Sequence, residues 1–412
     1  MSGGLSPPHH LLLTERGEQW LRNFDEADRA IARDLAATLA LISHNEFERS
    51  LASLVLEVAQ AVDGPVALYG ARELDASFRF GTEDGEGLLD ATPRGTDIGS
   101  EGRLANIIRN IALARPSKFL NHPNVGELRA KRVDAVFVLD DFIGSGKRCS
   151  DYLTALWQSR SLRSWTSYKR IRFDAIAYSA TAVGLRCVQQ HPAHPATHIA
   201  RHCPTITALH WKKAHIDAAR DMCRKYARQA SLKGWALGFR NTESLLVFEH
   251  GCPNNAPAIF WATSKNVPEW TALFPAKRVD ASITTAFPSE IVRRDPVHAL
   301  VEAGQRRLAS ALASNAHRPL TDQEALTLAL FSKGQSRAET VASATGLSAK
   351  EALGLIEHCI SAGWISARRR ITDKGQAELR GIRTSLTRSA RPALELGKDE
   401  YYPTALRDHG NG

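Results

Sequence analysis

The pattern of apolar and polar positions changes character several times along this 412-residue chain. Residues 16 to 62, through "RGEQWLRNFDEADRAIARDLAATLALI" and "NEFERSLASLVLEVAQAV", repeat apolar positions every three or four residues and predict helices. "GPVALYG" (64–70) is a short apolar run between glycines and predicts a buried strand. "GSEGRLANIIRNIALA" (99–114) returns to helical spacing behind cap-forming residues. "VDAVFVL" (133–139) is apolar at almost every position, as a strand covered on both faces must be. "CSDYLTALW" (149–157) is helical again, and "RFDAIAYSATAV" (172–183) is the next strand with its loop. This alternation predicts an α/β fold built on a parallel sheet.

Residues 276 to 318 are irregular and then helical, as a connection would be. From "RPLTDQEALTLALFSKG" (318–334) three helical stretches follow closely, then a small hairpin in "SARRRITDKG" and a helix in "QAELRGIR". The polar end of the chain, with Pro392 and Pro403, reads as a loosely ordered tail. The expected division is a first domain over 1–278, a linker over 279–317, a second domain over 318–385 and a tail over 386–412.

Composition narrows the class. With 43% hydrophobic and 24% charged residues the chain reads as a globular protein. No run of eighteen apolar residues is present, so no membrane span is expected. The N-terminus lacks a cationic start and a long apolar core, so a secretory signal is not expected either. Six scattered cysteines without a CxxC pair fit reduced thiols and a cytoplasmic location. A net charge of +9 suits an anionic partner.

The chemistry concentrates in "VFVLDDFIGSGKR" (136–148), where two carboxylates precede a glycine-rich turn. A Walker-type phosphate loop fails twice, because Asp141 stands where a glycine is needed and Arg148 where a hydroxyl is needed. A dinucleotide fingerprint fails too, since only Gly144 and Gly146 are supplied. A sugar phosphate satisfies both halves of the stretch. Asp140 and Asp141 can accept hydrogen bonds from vicinal hydroxyls, while the turn Gly144, Ser145, Gly146, Lys147 and Arg148 leads into a helix whose N-terminus can hold a phosphate. On this reading Gly146 lets the phosphate approach the backbone. The blander alternative is a strand end with a solvated acidic turn.

The stretch closely resembles the phosphoribosyl pyrophosphate (PRPP) motif of type I phosphoribosyltransferases. Val136–Leu139 match its strand, Asp140 and Asp141 its ribose-binding acids, Phe142 and Ile143 its apolar pair, and Ser145–Gly146 its hydroxyl–glycine turn. The resemblance implies a Rossmann-like parallel sheet with N-terminal helices and a hood, and Mg²⁺ arriving mainly with PRPP. It also implies a pyrophosphate loop after an earlier strand, for which Gly70, Ala71 and Arg72 are the candidates. Two departures stand out. Gly144 replaces an acid that assists at the base in many purine-using members, and Arg148 replaces a small hydroxyl residue.

Downstream, Pro253–Asn255, Phe260–Trp261, Trp270 and Leu273–Pro275 are similar to the phosphoribosyltransferase-like (PRTase-CE-like) domains of bacterial conflict and defence systems, as in some retron effectors. The match covers roughly residues 18 to 278. It implies that Asn254 and Asn255 in the hood read the acceptor, although an Asn-rich turn would look the same. By analogy alone it implies an anti-phage effector beside a retron, with a reverse transcriptase–msDNA complex as partner. Two functions stay open: a pentosyltransferase acting on a nucleotide or nucleic acid, and a non-catalytic PRPP or nucleotide sensor. A rival cluster, His191 to Cys223, offers His198 and His202 at a helical spacing that suits zinc. Pro192 and Pro195 interrupt it, exposed loop histidines are the blander reading, and no metal ligands are expected.

The C-terminal pattern resembles a winged helix–turn–helix. Over 366–392, eight Lys and Arg face two acids, with Arg368, Arg369 and Arg370 in the wing. Basic wings contact phosphates, giving affinity for nucleic acid with little sequence choice. The helix before the wing is expected to enter the major groove, with Lys350 and Glu351 alone near base edges. Protein docking is the alternative.

Overall fold

The computed structural model describes residues 10–74, 100–229, 232–263, 270–284, 286–287, 300, 305, 308–309, 320–345, 347 and 349–389. The tail beyond 389 and most of the expected linker lie outside them. Seven strands occur among these residues: β1 (Ala40–Ile42), β2 (Val66–Gly70), β3 (Phe119–Asn121), β4 (Ala135–Ile143), β5 (Arg172–Ala180), β6 (Ala196–His202) and β7 (Leu246–Phe248). Five of them form a parallel sheet in the order β3-β2-β4-β5-β6.

β4 sits in the middle and is buried at all nine positions. Its side chains alternate between two cores. Phe137 and Leu139 pack with Phe47, Leu51 and Ile108, from helices His44–Ala59 and Ser100–Ala114. Val136 and Val138 pack with Tyr152, Leu153 and Leu156 of helix Lys147–Trp157. Each such fully buried side chain contributes roughly 1.5–3 kcal/mol, so the strand that carries the acid pair is firmly anchored. The chain leaves β2 toward β3 on one side and leaves β4 toward β5 on the other. A crevice therefore opens at the C-terminal ends of β2 and β4, where parallel sheets bind ligands.

The N-terminal helices Glu15–Arg22 and Glu26–Ala37 share a core with the segment after the sheet, through Trp20, Phe24, Tyr226 and Phe260. Trp20 Nε1 donates to the Ile259 carbonyl at 2.8 Å. β1 pairs in parallel with β7, and Ile42 and Phe248 reach the core under the main sheet. N-terminal segment and hood are one body seated on the sheet.

Two elements differ from the sequence expectation. The helical reading of 16–62 is broken by β1, which pairs with a strand two hundred residues away that no local pattern reveals. β6 replaces the loop expected around His198 and His202. It is a half-buried edge strand with polar residues at Thr197, His198, Arg201 and His202, so it lacks the apolar run that marks β4. His198 and His202 therefore lie on a strand, not on a helical face. His198 Nε2 stands 2.9 Å from Asp174 Oδ1, and His191 and His210 are buried rather than exposed.

At the C-terminus, helices Asp322–Ser332, Ala338–Thr345 and Ala349–Ser361 precede a wing closed by the antiparallel bridge Ile365–Ile371, and helix Asp373–Ser389 follows. Thr321 and Glu324 form a capping box at the first of these. Leu326, Leu330, Val341, Ile356 and Leu379 form the core, joined by Leu300, Leu308 and Ala309 from the segment read as a connection. Helices Ala338–Thr345 and Ala349–Ser361 lie against β6. The helix expected to enter a major groove thus covers the sheet's edge strand in this conformation. No described helix is long and apolar enough to cross a membrane.

Candidate functional site

Asp140 and Asp141 stand near the end of β4. Strand register sets Leu139 beside Gly70 of β2, and Ala71 N donates to the Leu139 carbonyl at 2.7 Å. Arg72 consequently arrives next to the acid pair. A cavity of about 670 Å³ is lined by Arg72, Asp140, Asp141, the turn 144–148, Asn254 and Asn255. Gly70 and Ala71 support the loop without lining the cavity. Gly70 N donates to His122 Nε2 at 2.9 Å. Arg72 Nε is buried with no hydrogen-bond partner among the described residues.

Arg148 was expected in the phosphate turn. Its guanidinium bends back instead, donating from Nη2 to both Asp140 and Asp141 and from Nε to Asp140 Oδ2 at 3.4 Å. Asp141 also accepts from the Phe142 N–H at 2.9 Å and faces His250 Nε2 at 3.4 Å. The two carboxylates separate electrostatically. Burial pushes Asp140 up to about 8 against the pull of Arg148, with the Asp141 charge adding to the rise. Burial acts on Asp141 in the same direction, but Arg148 and His250 outweigh it and hold that carboxyl below the usual range. Two adjacent buried acids sharing one cation favour a single proton between them.

The turn is built by backbone contact. Gly146 adopts a left-handed conformation (φ 79°) ahead of helix Lys147–Trp157. A Cβ on Gly146 would come within 2.7 Å of Cys187 Cβ and of the Gly184 carbonyl. The turn and helix Ala182–Gln189 behind it therefore demand the glycine by themselves. Thr181 Oγ1 donates to the Gly144 carbonyl at 2.6 Å and caps that helix by accepting from Gly184 N at 3.0 Å. A Cβ on Gly184 would fall 2.3 Å from the Ile143 carbonyl. Ser145 Oγ accepts from Lys147 N at 3.4 Å.

The hood closes the other side. Asn255 is buried, donates from Nδ2 to Thr242 Oγ1 at 2.8 Å, and fills the space that a side chain at Gly144 would need. Asn254 stays half-buried at the cavity wall, its carbonyl accepting from Phe239 N at 2.9 Å. Three contributors escaped sequence reasoning: His250, Phe239 and the Thr181–Gly184 support. His250 is nearly buried, with Nδ1 unpartnered among the described residues and its ring stacked 4.7 Å from Phe248. "FEHGCPNN" holds it two residues past the end of the apolar β7, a link visible once β7 is known. Arg368, Arg369 and Arg370 belong to the other domain, stay outside the cavity, and are exposed.

The PRTase-CE family matches residues 18–276, and the family described as wHTH-PRTase associated matches residues 325–408. No curated protein and no solved structure matches the chain. An acid pair, a glycine turn and an arginine loop gathered at the switch point of a five-stranded parallel sheet are what a phosphoribosyltransferase-like domain requires, and over those 18–276 residues the chain belongs to the PRTase-CE family.

Proposed function

We propose that the cavity binds PRPP or a related ribose phosphate, and that the protein transfers ribose phosphate to or from a nucleotide or nucleic acid. One observation carries this reading: the carboxylate pair, the amide-bearing turn and an arginine with a buried unpartnered nitrogen converge on one cavity. Asp140 and Asp141 accept from the ribose hydroxyls, and Arg148 yields to them. The N–H groups of Gly144, Ser145, Gly146 and Lys147, with the positive end of the helix, hold the 5′-phosphate. Arg72 meets the diphosphate, while Asn254, Asn255 and Phe239 face the acceptor. Catalysis comes from positioning and from stabilising the departing diphosphate as the anomeric carbon becomes cationic.

Asp140 and Asp141 offer the hard oxygens that Mg²⁺ takes. Among the described residues no group of three or more His, Cys, Asp or Glu side chains is set to hold a metal, and Mg²⁺ is assigned chiefly to the substrate's own oxygens. When bound it neutralises charge on the diphosphate.

A second reading, a PRPP or nucleotide sensor without turnover, is favoured by two observations. Asn255 fills the space at Gly144 where purine-using relatives carry an acid, and Arg148 occupies both carboxylates. Mg²⁺-dependent release of pyrophosphate from PRPP, measured across a panel of nucleotides, separates the two. Release with at least one acceptor is expected. Binding without release under any acceptor would favour the sensor, and absence of binding by PRPP and by every nucleotide of the panel would sink both.

Family membership supports, by analogy, an anti-phage role in the cytoplasm beside a retron, with a reverse transcriptase–msDNA complex as partner. The exposed wing is proposed to contact nucleic-acid phosphates. Changing Arg368, Arg369 and Arg370 to Ala should weaken duplex binding about equally for all sequences, each lost contact lowering the salt slope by roughly 0.9. Electrophoretic shifts across a salt series check this. Unaltered binding would remove these arginines from the contact, and no binding of any DNA or RNA by the intact protein would favour protein docking by the winged helix.

A further inference from the structure

At the far end of the sheet from the carboxylates, the N-terminal ends of β4, β5 and β6 open on a second cavity of about 1360 Å³. β4 alone puts roughly 30 Å between the two ends. The volume exceeds the roughly 300–1,000 Å³ of a small-molecule pocket, which suits a stretch of polymer better than one metabolite.

The lining is cationic and aromatic. Five Lys and Arg side chains face it against two carboxylates, and one of those, Asp134, is already engaged by the Gly64 N–H at 2.7 Å. Arg172 is paired with Asp174 at 2.9 Å. Arg132, Lys169 and Arg170 are exposed and make no ion pair among the described residues. Trp157 and Trp165 are half-buried in the wall, and the Arg129 guanidinium lies 5.8 Å over the Trp165 ring. Tyr168, three residues along the chain from Trp165 and next to Lys169 of the lining, is 75% exposed. Arg132 and Lys169 both hold left-handed backbones (φ 50° and 54°), a conformation that non-glycine residues seldom adopt. Both therefore present their charges from tight turns at the rim.

We propose that this cleft binds single-stranded nucleic acid. Unpaired cations track a phosphate backbone, and the exposed Tyr168 ring, with the open part of the half-buried tryptophans, stacks on unpaired bases without choosing among them. A duplex keeps its base faces stacked and cannot offer them to Trp165 or Tyr168. An acidic polypeptide would satisfy the cations but leave the rings unused. The site lies on the first domain, independent of the wing and of the PRPP reading.

The test uses the full chain carrying Arg368→Ala, Arg369→Ala and Arg370→Ala, so that the wing does not contribute. Anisotropy of labelled oligothymidylate and oligouridylate should report binding that weakens with salt. Adding Arg132→Asn, Lys169→Asn and Arg170→Gln should weaken it and flatten the salt slope by about 2. Asn is chosen because it tolerates the left-handed backbone. Tyr168→Ala should lower affinity at least about fivefold and leave the slope unchanged. Circular dichroism confirms that these surface variants are folded. Three results would overturn the proposal: neither oligonucleotide binding at low salt, binding indifferent to the cleft substitutions, or duplex or polyglutamate binding as tightly as the single strands.

Discussion

Asparagine at both Asp140 and Asp141 is expected to weaken PRPP–Mg²⁺ binding by about a hundredfold or more. Each carboxylate accepting from a ribose hydroxyl makes a hydrogen bond to a charged group, worth about 1.5–3 kcal/mol, and an amide oxygen retains a fraction of that. Isothermal titration calorimetry reads the loss directly. Thermal stability should fall too, because Arg148 keeps its charge and loses the negative charge that the acid pair carries. Binding is therefore compared well below the unfolding transition of the variant. The wild type adds a pH signature. Asp140 is pushed up to about 8 by burial, so it is protonated at lower pH and must release that proton to act as a full acceptor. Affinity should rise as pH climbs toward about 8 and level off above it. Asp140→Asn alone should abolish that rise. Unchanged affinity in the double variant would remove the acid pair from the binding site.

Gly146→Val is expected to destabilise the fold by about 2–5 kcal/mol, combining a left-handed backbone penalty with overpacking against helix Ala182–Gln189. Calorimetric or circular-dichroism melting checks it. Gly102→Ala is the control. Nothing lies within 4 Å of the Cβ it would gain, and within helix Ser100–Ala114 the change should stabilise by roughly 0.5–1 kcal/mol. A Gly146→Val chain melting like the wild type would mean that the turn relaxes freely, against the contacts seen here. Loss of ligand in this variant is not separate proof of a phosphate cradle, because Cys187 and Gly184 meet the new side chain before any ligand does.

Local signals explain what was legible beforehand. An apolar run broken by two acids reads as a buried strand carrying a site, because a strand covered on both faces has no polar position to spare unless function requires one. Fixed offsets between glycines rule out the Walker and dinucleotide loops without any tertiary knowledge. Helical spacing followed by a basic hairpin likewise marks the winged helix, whose elements are close neighbours in sequence. By itself, then, the chain determined the parallel α/β fold, the acid pair, the glycine turn and the basic wing.

Tertiary structure decided how those pieces meet, because the contacts join segments that no local period connects. β1 forms by pairing with β7, two hundred residues away. β6 survives as a polar edge strand because the helices of the C-terminal domain cover it. Arg148 leaves the turn for the carboxylates because a buried acid pair carrying negative charge needs a cation more than an empty loop does. His250 joins Asp141 from the hood, and Gly146 answers to Gly184 and Cys187 from the next helix. Trp165, Lys169 and Arg170 look like an ordinary surface turn until the ends of β4, β5 and β6 bring Arg129, Arg132 and Trp157 beside them. Charge and burial act through space, and only the folded sheet sets those distances.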